Sequence, residues 1–349
     1  MPSNADDTAW SRIAPYFQPP PEYTGQLGDY RSLLTFDDGS LVQTSEDWAR
    51  RRAELLAFWH KRFGPWPEII ETPDVEILST EQREDFQQLK VRVPIAPGHT
   101  TEGYILVPQG DGPHPAVLTV YYEPESAIGL NAELRDFAYE LTKRGFVTLS
   151  IGLGSSFYYP SQENAQLQPL SALAYVAANG YHVLASRDDV NPDRVGVTGH
   201  SYGGKWAMFA SCLYDRFAAS AWSDGGIVFD ETRGNVNYWE PWYIGYEMGV
   251  TRESGVPSDE KPRTGPYREL IAESRDLHEL MALHAPRPFL VSGGSEDPPE
   301  RWIPLNHVIA VNKLLGVADR VAMTNRPHHT PTEESNEALY SFFEHSLKP

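Results

Sequence analysis

A serine stands among glycines in the stretch Gly199-His200-Ser201-Tyr202-Gly203, between an apolar run of β-branched residues and a helical pattern. In a strand-to-helix turn of this G-x-S-x-G form, the backbone lifts the serine hydroxyl above the edge of the sheet, and the glycines avoid Cβ clashes. The first N–H groups of the following helix attract negative charge. The pattern predicts Ser201 as a nucleophile, with a glycine-rich turn without chemistry as the alternative.

A serine nucleophile needs a histidine base, and the segment after the last predicted strand offers His328 and His329. Adjacent residues of an extended segment point to opposite sides, so only one of the two can face the serine. Thr330, Pro331 and Glu333 fit a capping box with proline at the first helical position, which leaves His329 on the loop just before a helix. We therefore predict His329 as the base, with His328 as the alternative.

The base needs a carboxylate that orients it, and two strand ends offer one. "RPFLVSGG" reads as the next-to-last strand and is followed by "SEDPPE", which places Glu296 and Asp297 at its carboxyl end. The chain order Ser, Asp, His favours Asp297 as the acid of a Ser-His-Asp triad. Asp224, at the end of the strand after the nucleophile helix, is the alternative because both strand ends border the same crevice.

These residues must be positioned by a mostly parallel sheet with helices on both faces. Apolar and polar residues alternate from residue 75 to about 108, which predicts antiparallel strands, and strand and helix patterns alternate beyond that point. We expect an α/β fold with residues 1–73 as an N-terminal extension and helix packed on the core. Residues 74–349 are expected to form the catalytic domain, with a small aromatic-rich cap inserted at about 226–265.

Composition excludes several classes of partner. The 349 residues carry 29 Lys and Arg against 48 Asp and Glu, and the formal net charge of −19 would repel nucleic acid and anionic membrane surfaces. A single cysteine excludes a disulfide framework, and no metal-binding motif occurs, so we expect neither a metal nor a cofactor. The start "MPSNADDTAW" has no apolar signal segment, which predicts a cytoplasmic location, or a periplasmic or secreted one if a leader has been removed. The oligomeric state stays open.

The stretch "GHSYGGKWA" resembles the G-x-S-x-x-G-K-x-A nucleophile region of the glucuronoyl esterases, which belong to the α/β-hydrolase superfamily. The upstream stretch "DGSLVQTSEDWARRRAELLAFWHKRFGPWP" is also similar to the helix with Trp and Arg-Arg, followed by Gly and Pro, that precedes the core in those enzymes and in bacterial relatives described as acetyl xylan esterases. The resemblance implies an α/β-hydrolase fold, and it implies that Lys205 contacts sugar hydroxyls; a solvated lysine on the first turn of the helix is the alternative. The sequence departs from the family pattern at His200, Tyr202 and Thr330, where the family has cysteine, arginine and cysteine.

An oxyanion hole is expected from backbone N–H groups. One belongs to Tyr202, and the second belongs to Tyr122 or Glu123 on the loop after the strand "AVLTVYY".

Aromatic side chains near the predicted site are suitable platforms for sugar rings. Trp239 and Trp242 lie in the insertion, and Trp302 follows the predicted acid loop. The alternative is that they form a small core beneath a lid.

Together these features predict a serine carboxylic ester hydrolase that works through an acyl-enzyme on a carbohydrate ester, either an acetyl or a uronate ester. An amidase or peptidase of the same fold is one alternative. A non-catalytic binding protein on a hydrolase scaffold is the other.

Overall fold

The alternating residues that follow residue 75 form three antiparallel strands in the structure, a computed structural model that describes residues 8–348. These strands are β1 (Glu76–Arg83), β2 (Phe86–Ala96) and β3 (His99–Pro108). Residues 1–7, which include most of the start used to predict the cellular location, and Pro349 lie outside the described residues.

The strands downstream continue the same sheet. They pair with one another in parallel, and only the pairing of this group with β3 is antiparallel. They are β4 (His114–Tyr121), β5 (Val147–Gly152), β6 (Val190–His200), β7 (Ala219–Ser223), β8 (Phe289–Gly293) and β9 (Val321–Asn325). In the described chain the sheet has nine strands in the order β1-β2-β3-β5-β4-β6-β7-β8-β9. β3 pairs antiparallel with β5, and the pairings from β5 to β9 are parallel. The predicted mostly parallel sheet with antiparallel N-terminal strands is confirmed.

Helices cover both faces of the sheet. Those found between residues 8 and 348 are α1 (Ala9–Ile13), α2 (Ser45–Phe63), α3 (Pro124–Ala127), α4 (Phe137–Lys143), α5 (Pro169–Ala185), α6 (Tyr202–Leu213), α7 (Gly265–Ala272), α8 (His278–Met281), α9 (Trp302–Leu314) and α10 (Glu333–Leu347). The adjacent residues Val117 and Leu118 of β4 enter different cores, because neighbouring strand residues face opposite sides. The core around Leu118 contains residues of α2, α5, α6 and α9, and the core around Val117 contains residues of α1, α4 and α10.

The N-terminal segment is capped at the start of α2 and held to the body by ion pairs with buried arginines. Thr44 caps α2: its hydroxyl oxygen accepts the Asp47 N–H at 3.1 Å, and the Asp47 carboxylate accepts the Thr44 N–H at 3.2 Å, a capping box. The carboxylate of Asp37 pairs with Arg51 on α2 at 3.0 Å and with Arg275 at 2.8 Å. These ion pairs connect the segment before α2 to the part of the chain that follows α7.

The last helix begins two residues later than the sequence pattern indicates. Thr332 is its N-cap and accepts the Ser335 N–H at 3.1 Å, so the predicted box that starts at Thr330 is wrong. His329 still lies on the loop that precedes α10.

The chain between β7 and α7, residues 224–264, folds over the carboxyl ends of the strands without forming a helix or strand of its own. It is closed by Arg252, which pairs with Glu240 at 3.1 Å, both side chains being buried. Within the described residues no helix has the length and apolar character needed to cross a membrane.

Candidate active site

Ser201 stands in a strained turn between β6 and α6. Its φ of +57° and ψ of −112° lie outside the regions that most residues adopt, and its N–H donates to Ser223 O at 2.7 Å. Both flanking glycines are needed there: a Cβ on Gly199 would lie 2.5 Å from Val120 O, and one on Gly203 would lie closer still. The turn therefore presents the serine hydroxyl at the carboxyl edge of the sheet, as the motif predicts.

His329 bridges Ser201 and a buried carboxylate. The Ser201 hydroxyl lies 2.8 Å from His329 Nε2, and His329 Nδ1 lies 2.7 Å from Asp224 Oδ2. With Nδ1–H donating to the carboxylate, Nε2 is free to accept the serine proton. The neighbouring His328 is exposed, so His329 is the member of the pair that faces the serine.

The structure places Asp224, and not the preferred Asp297, beside His329. Asp224 directly follows β7, which lies next to β6 and its serine, whereas Asp297 is the fourth residue after β8. The carboxylate of Asp297 turns away from His329 and accepts the N–H groups of Gly226 at 2.8 Å and Ile227 at 2.6 Å. Burial and the nearby charge of Asp224 raise the pKa of Asp297 to about 6. The preference for Asp297 as the histidine's partner is thereby corrected.

Asp224 is fully buried and held by the loop after β8. Its Oδ1 accepts the backbone N–H groups of Gly294 at 2.7 Å, Asp297 at 2.9 Å and Glu296 at 3.1 Å. These bonds leave Oδ2 for the imidazole and fix the carboxylate plane.

Gly294 allows two segments to approach each other. A Cβ at this position would lie 2.6 Å from Asp224 Oδ2 and 2.5 Å from His328 O. The loop that carries His329 can therefore pass over β8 and reach the serine at the end of β6.

The backbone groups predicted for an oxyanion hole lie at the start of α6 and on the loop after β4. Tyr202 is the first residue of α6, so its N–H is one of the donors that no helical carbonyl accepts. Its ring stacks on that of Tyr122, with centroids 4.5 Å apart and planes at 11°. A Cβ on Gly152 would lie 2.5 Å from Glu123 Cα, so the end of β5 supports this loop. Tyr122 and Glu123 both stay candidates for the second donor.

Lys205 is buried, contrary to the expected contact with sugar hydroxyls. It is 2% exposed, and its Nζ donates to Gly225 O at 2.5 Å and to Asn235 O at 3.1 Å. Burial lowers the pKa of Lys205 to about 8. Its ammonium group holds the turn that follows Asp224.

The three tryptophans predicted as sugar platforms differ in exposure. Trp239 and Trp302 are each 1% exposed and belong to the core, so for them the prediction is wrong. Trp242 is partly exposed and packs near Tyr243, with ring centroids 6.4 Å apart. Only Trp242 of the three keeps a surface that a substrate could contact.

Two further residues lie at the site, and the sequence pattern predicted no role for either. His200 is buried with its ring 4.7 Å from that of His329, and burial holds the pKa of His200 well below its usual value. Arg326 is 8% exposed and donates to His329 O at 2.8 Å. The sequence signals were that His200 is next to Ser201 and replaces the family's cysteine, and that Arg326 is three residues before His329. In the part of the chain that the structure describes, no group of three or more His, Cys, Asp or Glu residues is arranged to hold a metal ion.

Comparison with known proteins places this geometry in a familiar architecture. The chain resembles a promiscuous CE15 esterase from a marine bacterial metagenome with a TM-score of 0.71 at 18% identity, over 92% of this chain and 98% of the other. A glucuronoyl esterase from Solibacter usitatus gives a TM-score of 0.70 at 20% identity, with the same coverage. The chain has the α/β-hydrolase fold. Within this fold, a putative acetyl xylan esterase from Bacteroides fragilis is a more distant neighbour, with a TM-score of 0.56 at 17% identity over 89% of this chain and 79% of that one.

Sequence similarity to curated proteins is partial. The chain is 31% identical over 200 residues to a 4-O-methyl-glucuronoyl methylesterase from Schizophyllum commune, a match that covers 55% of this chain and 49% of the relative. It is 26% identical over 184 residues to a carbohydrate esterase from an unknown prokaryotic organism, over 48% of this chain and 39% of that protein. The chain thus spans about half the length of one relative and less of the other. No family model matches it.

Proposed function

We propose that the chain is a serine carboxylic ester hydrolase acting on a carbohydrate ester. The observation that carries this proposal is the hydrogen-bonded series from Ser201 to His329 to Asp224, with distances of 2.8 Å and 2.7 Å. A nucleophile, a base and an orienting carboxylate in this geometry are what acyl transfer requires.

The reaction follows from the positions of the three side chains. Ser201 Oγ attacks the acyl carbon while its proton moves to His329 Nε2, and the Asp224 carboxylate stabilises the imidazolium. The backbone N–H of Tyr202, with that of Tyr122 or Glu123, stabilises the negative oxygen of the tetrahedral intermediate. The imidazolium gives its proton to the departing alcohol, leaving an ester on Ser201. Water, deprotonated by His329, then hydrolyses that acyl-enzyme and restores the serine.

A carbohydrate ester is favoured by the names of the relatives and by one partly exposed ring. Three similar proteins carry the names glucuronoyl methylesterase, carbohydrate esterase and glucuronoyl esterase. Trp242 offers an aromatic surface in the segment that covers the strand ends. The family's arginine is replaced by Tyr202, so an acetyl and a uronate ester both remain substrates to test.

The proposal is tested by measuring acid release from methyl glucuronate and from acetylated xylose, with wild type, Ser201→Ala and His328→Gln. We expect wild type to cleave at least one ester, Ser201→Ala to lose about 10³-fold or more of kcat/KM, and the exposed His328→Gln to match wild type. Labelling of Ser201 by a fluorophosphonate reports the nucleophile without a natural substrate. Labelling together with cleavage only of peptides or amides would make the chain an amidase, and the absence of labelling would make it a binding protein.

A further inference from the structure

The buried guanidinium of Arg326 connects the loops of the candidate triad. On one side, its Nη2 donates to His329 O at 2.8 Å and its Nε donates to Thr330 O at 2.9 Å. On the other side, its Nη1 donates to Ser292 O at 2.8 Å and to Gly293 O at 3.2 Å, at the end of β8. One rigid side chain therefore bonds the backbone of the histidine loop to a core strand.

The carbonyl oxygen of Ser292, which accepts from Arg326, also bonds to the backbone of Asp224. Ser292 O accepts the backbone N–H of Asp224 at 3.1 Å as well as Nη1 of Arg326. Arg326 Nη2 further lies 3.4 Å from Ser223 Oγ, on the residue that precedes Asp224. The guanidinium thus contacts backbone or side-chain groups next to both the base and the acid.

This loop depends on such a support because it has no regular structure. Residues 326–332 form no helix or strand, yet His329 must reach from the end of β9 across β8 and β7 to Ser201. Holding a loop in one conformation costs conformational entropy for each residue fixed. A planar guanidinium has five N–H donors in a fixed fork and can bond carbonyls on opposite sides at once, whereas the three donors of an ammonium group lie on a single nitrogen.

We propose, on the basis of the proposed function, that Arg326 is a positioning residue that sets the His329 imidazole at hydrogen-bond distance from Ser201. It acts through the backbone of His329 and Thr330 and does not contact the reacting atoms. The charges of Asp224 and Asp297 oppose the effect of burial, which lowers the pKa of Arg326, and so favour the protonated guanidinium. Because of the geometry of its donors, arginine is not interchangeable with lysine at position 326.

The test compares Arg326→Lys and Arg326→Gln with Arg287→Lys and Arg287→Gln. Arg287 is a matched control, because its guanidinium also donates to backbone carbonyls, at 2.8 Å to Phe217 O and 3.0 Å to Ser211 O, far from the triad loops. We measure kcat, KM, the rate of fluorophosphonate labelling and Tm. An imidazole displaced by about 1 Å costs on the order of 100-fold in rate. We therefore expect kcat and the labelling rate to fall about 100-fold in the Arg326 variants, with KM within about twofold of wild type. In the Arg287 variants we expect a lower Tm and an unchanged kcat and labelling rate.

Chemical rescue separates positioning from general stability. In Arg326→Ala, millimolar guanidinium should restore part of the labelling rate by occupying the vacated site, and it should not rescue Asp224→Asn. If Arg326→Gln or Arg326→Ala does not fold, Arg326→Lys carries the comparison of rates.

Two results would overturn the proposal. One is labelling of Arg326→Lys at the wild-type rate, and the other is a loss of labelling rate in Arg326→Lys that is no greater than the loss in Arg287→Lys. Absence of labelling in wild type would instead contradict the proposed function, so the two failures are distinguishable.

Discussion

Asp224 and Asp297 hold each other's loops in place. The backbone N–H of Asp297 donates to the Asp224 carboxylate at 2.9 Å, and the Asp297 carboxylate accepts the N–H groups of Gly226 and Ile227, just beyond Asp224. Both side chains are fully buried. The two carboxylates thus have different tasks. The Asp224 carboxylate bonds to the imidazole, and the Asp297 carboxylate stabilises the turn that follows Asp224.

The two aspartates are expected to differ sharply when they are made neutral. Asp224→Asn should lower kcat by about 10⁴-fold, because an amide cannot keep His329 in the required tautomer. Asp297→Asn loses one of the two oxygens that accept N–H groups of the turn but leaves the bond between Asp224 and His329 in place, so it should cost less than about tenfold. Steady-state hydrolysis of 4-nitrophenyl acetate by the two variants measures the difference, and equal losses would contradict the separate roles.

Asp297 should also leave a pH signature in stability. Its pKa is raised from 3.8 to about 6, so between these values the folded state keeps a proton that the unfolded state has released. The contribution of this group to the free energy of unfolding is therefore fully present below pH 3.8 and is lost as the pH rises through 6. Urea unfolding of wild type and Asp297→Asn at pH 4.5, 5.5 and 7.0 should show the difference between them, wild type minus variant, decreasing as the pH rises. Parallel profiles would be inconsistent with the raised pKa.

Gly294→Ala should disable the site. The new Cβ would lie 2.6 Å from Asp224 Oδ2, so either the carboxylate or the histidine loop must move. We expect kcat to fall at least about 100-fold. Gly234→Ala is the control, because a Cβ there meets nothing within 4 Å, and we expect its kcat to stay within about twofold of wild type. Wild-type kcat in Gly294→Ala would show that the approach of the two loops is not needed.

Trp242→Ala tests the remaining aromatic platform. Loss of a ring that packs on a sugar removes about 0.5–1.5 kcal/mol, so KM for a xylo-oligosaccharide ester should rise roughly two- to tenfold with little change in kcat. KM for 4-nitrophenyl acetate, which has no sugar, should stay the same. A rise with both substrates would mean that Trp242 shapes the site instead of binding carbohydrate.

Short-range patterns were sufficient to predict the alternation of strands and helices and two of the triad side chains. Alternation of strands and helices predicts the sheet, because the period of apolar residues follows directly from strand and helix geometry. The glycines of its turn indicate Ser201, and the start of the following helix indicates His329. That helix begins at Glu333, two residues later than predicted. Each of these signals lies within about ten residues of sequence.

Long-range packing decided the partners and the burial of side chains, which such patterns do not predict. Asp224 and Asp297 both follow core strands, and only the bonds across β7 and β8 show which carboxylate reaches His329. The burial of Lys205 and Trp239, and the six acceptors around Arg326, likewise depend on segments far apart in the chain. The sequence by itself determined the secondary structure and the types of catalytic group, because those follow from local backbone geometry. Tertiary structure alone decided the partner of each buried charge, since that depends on which distant backbone groups surround it.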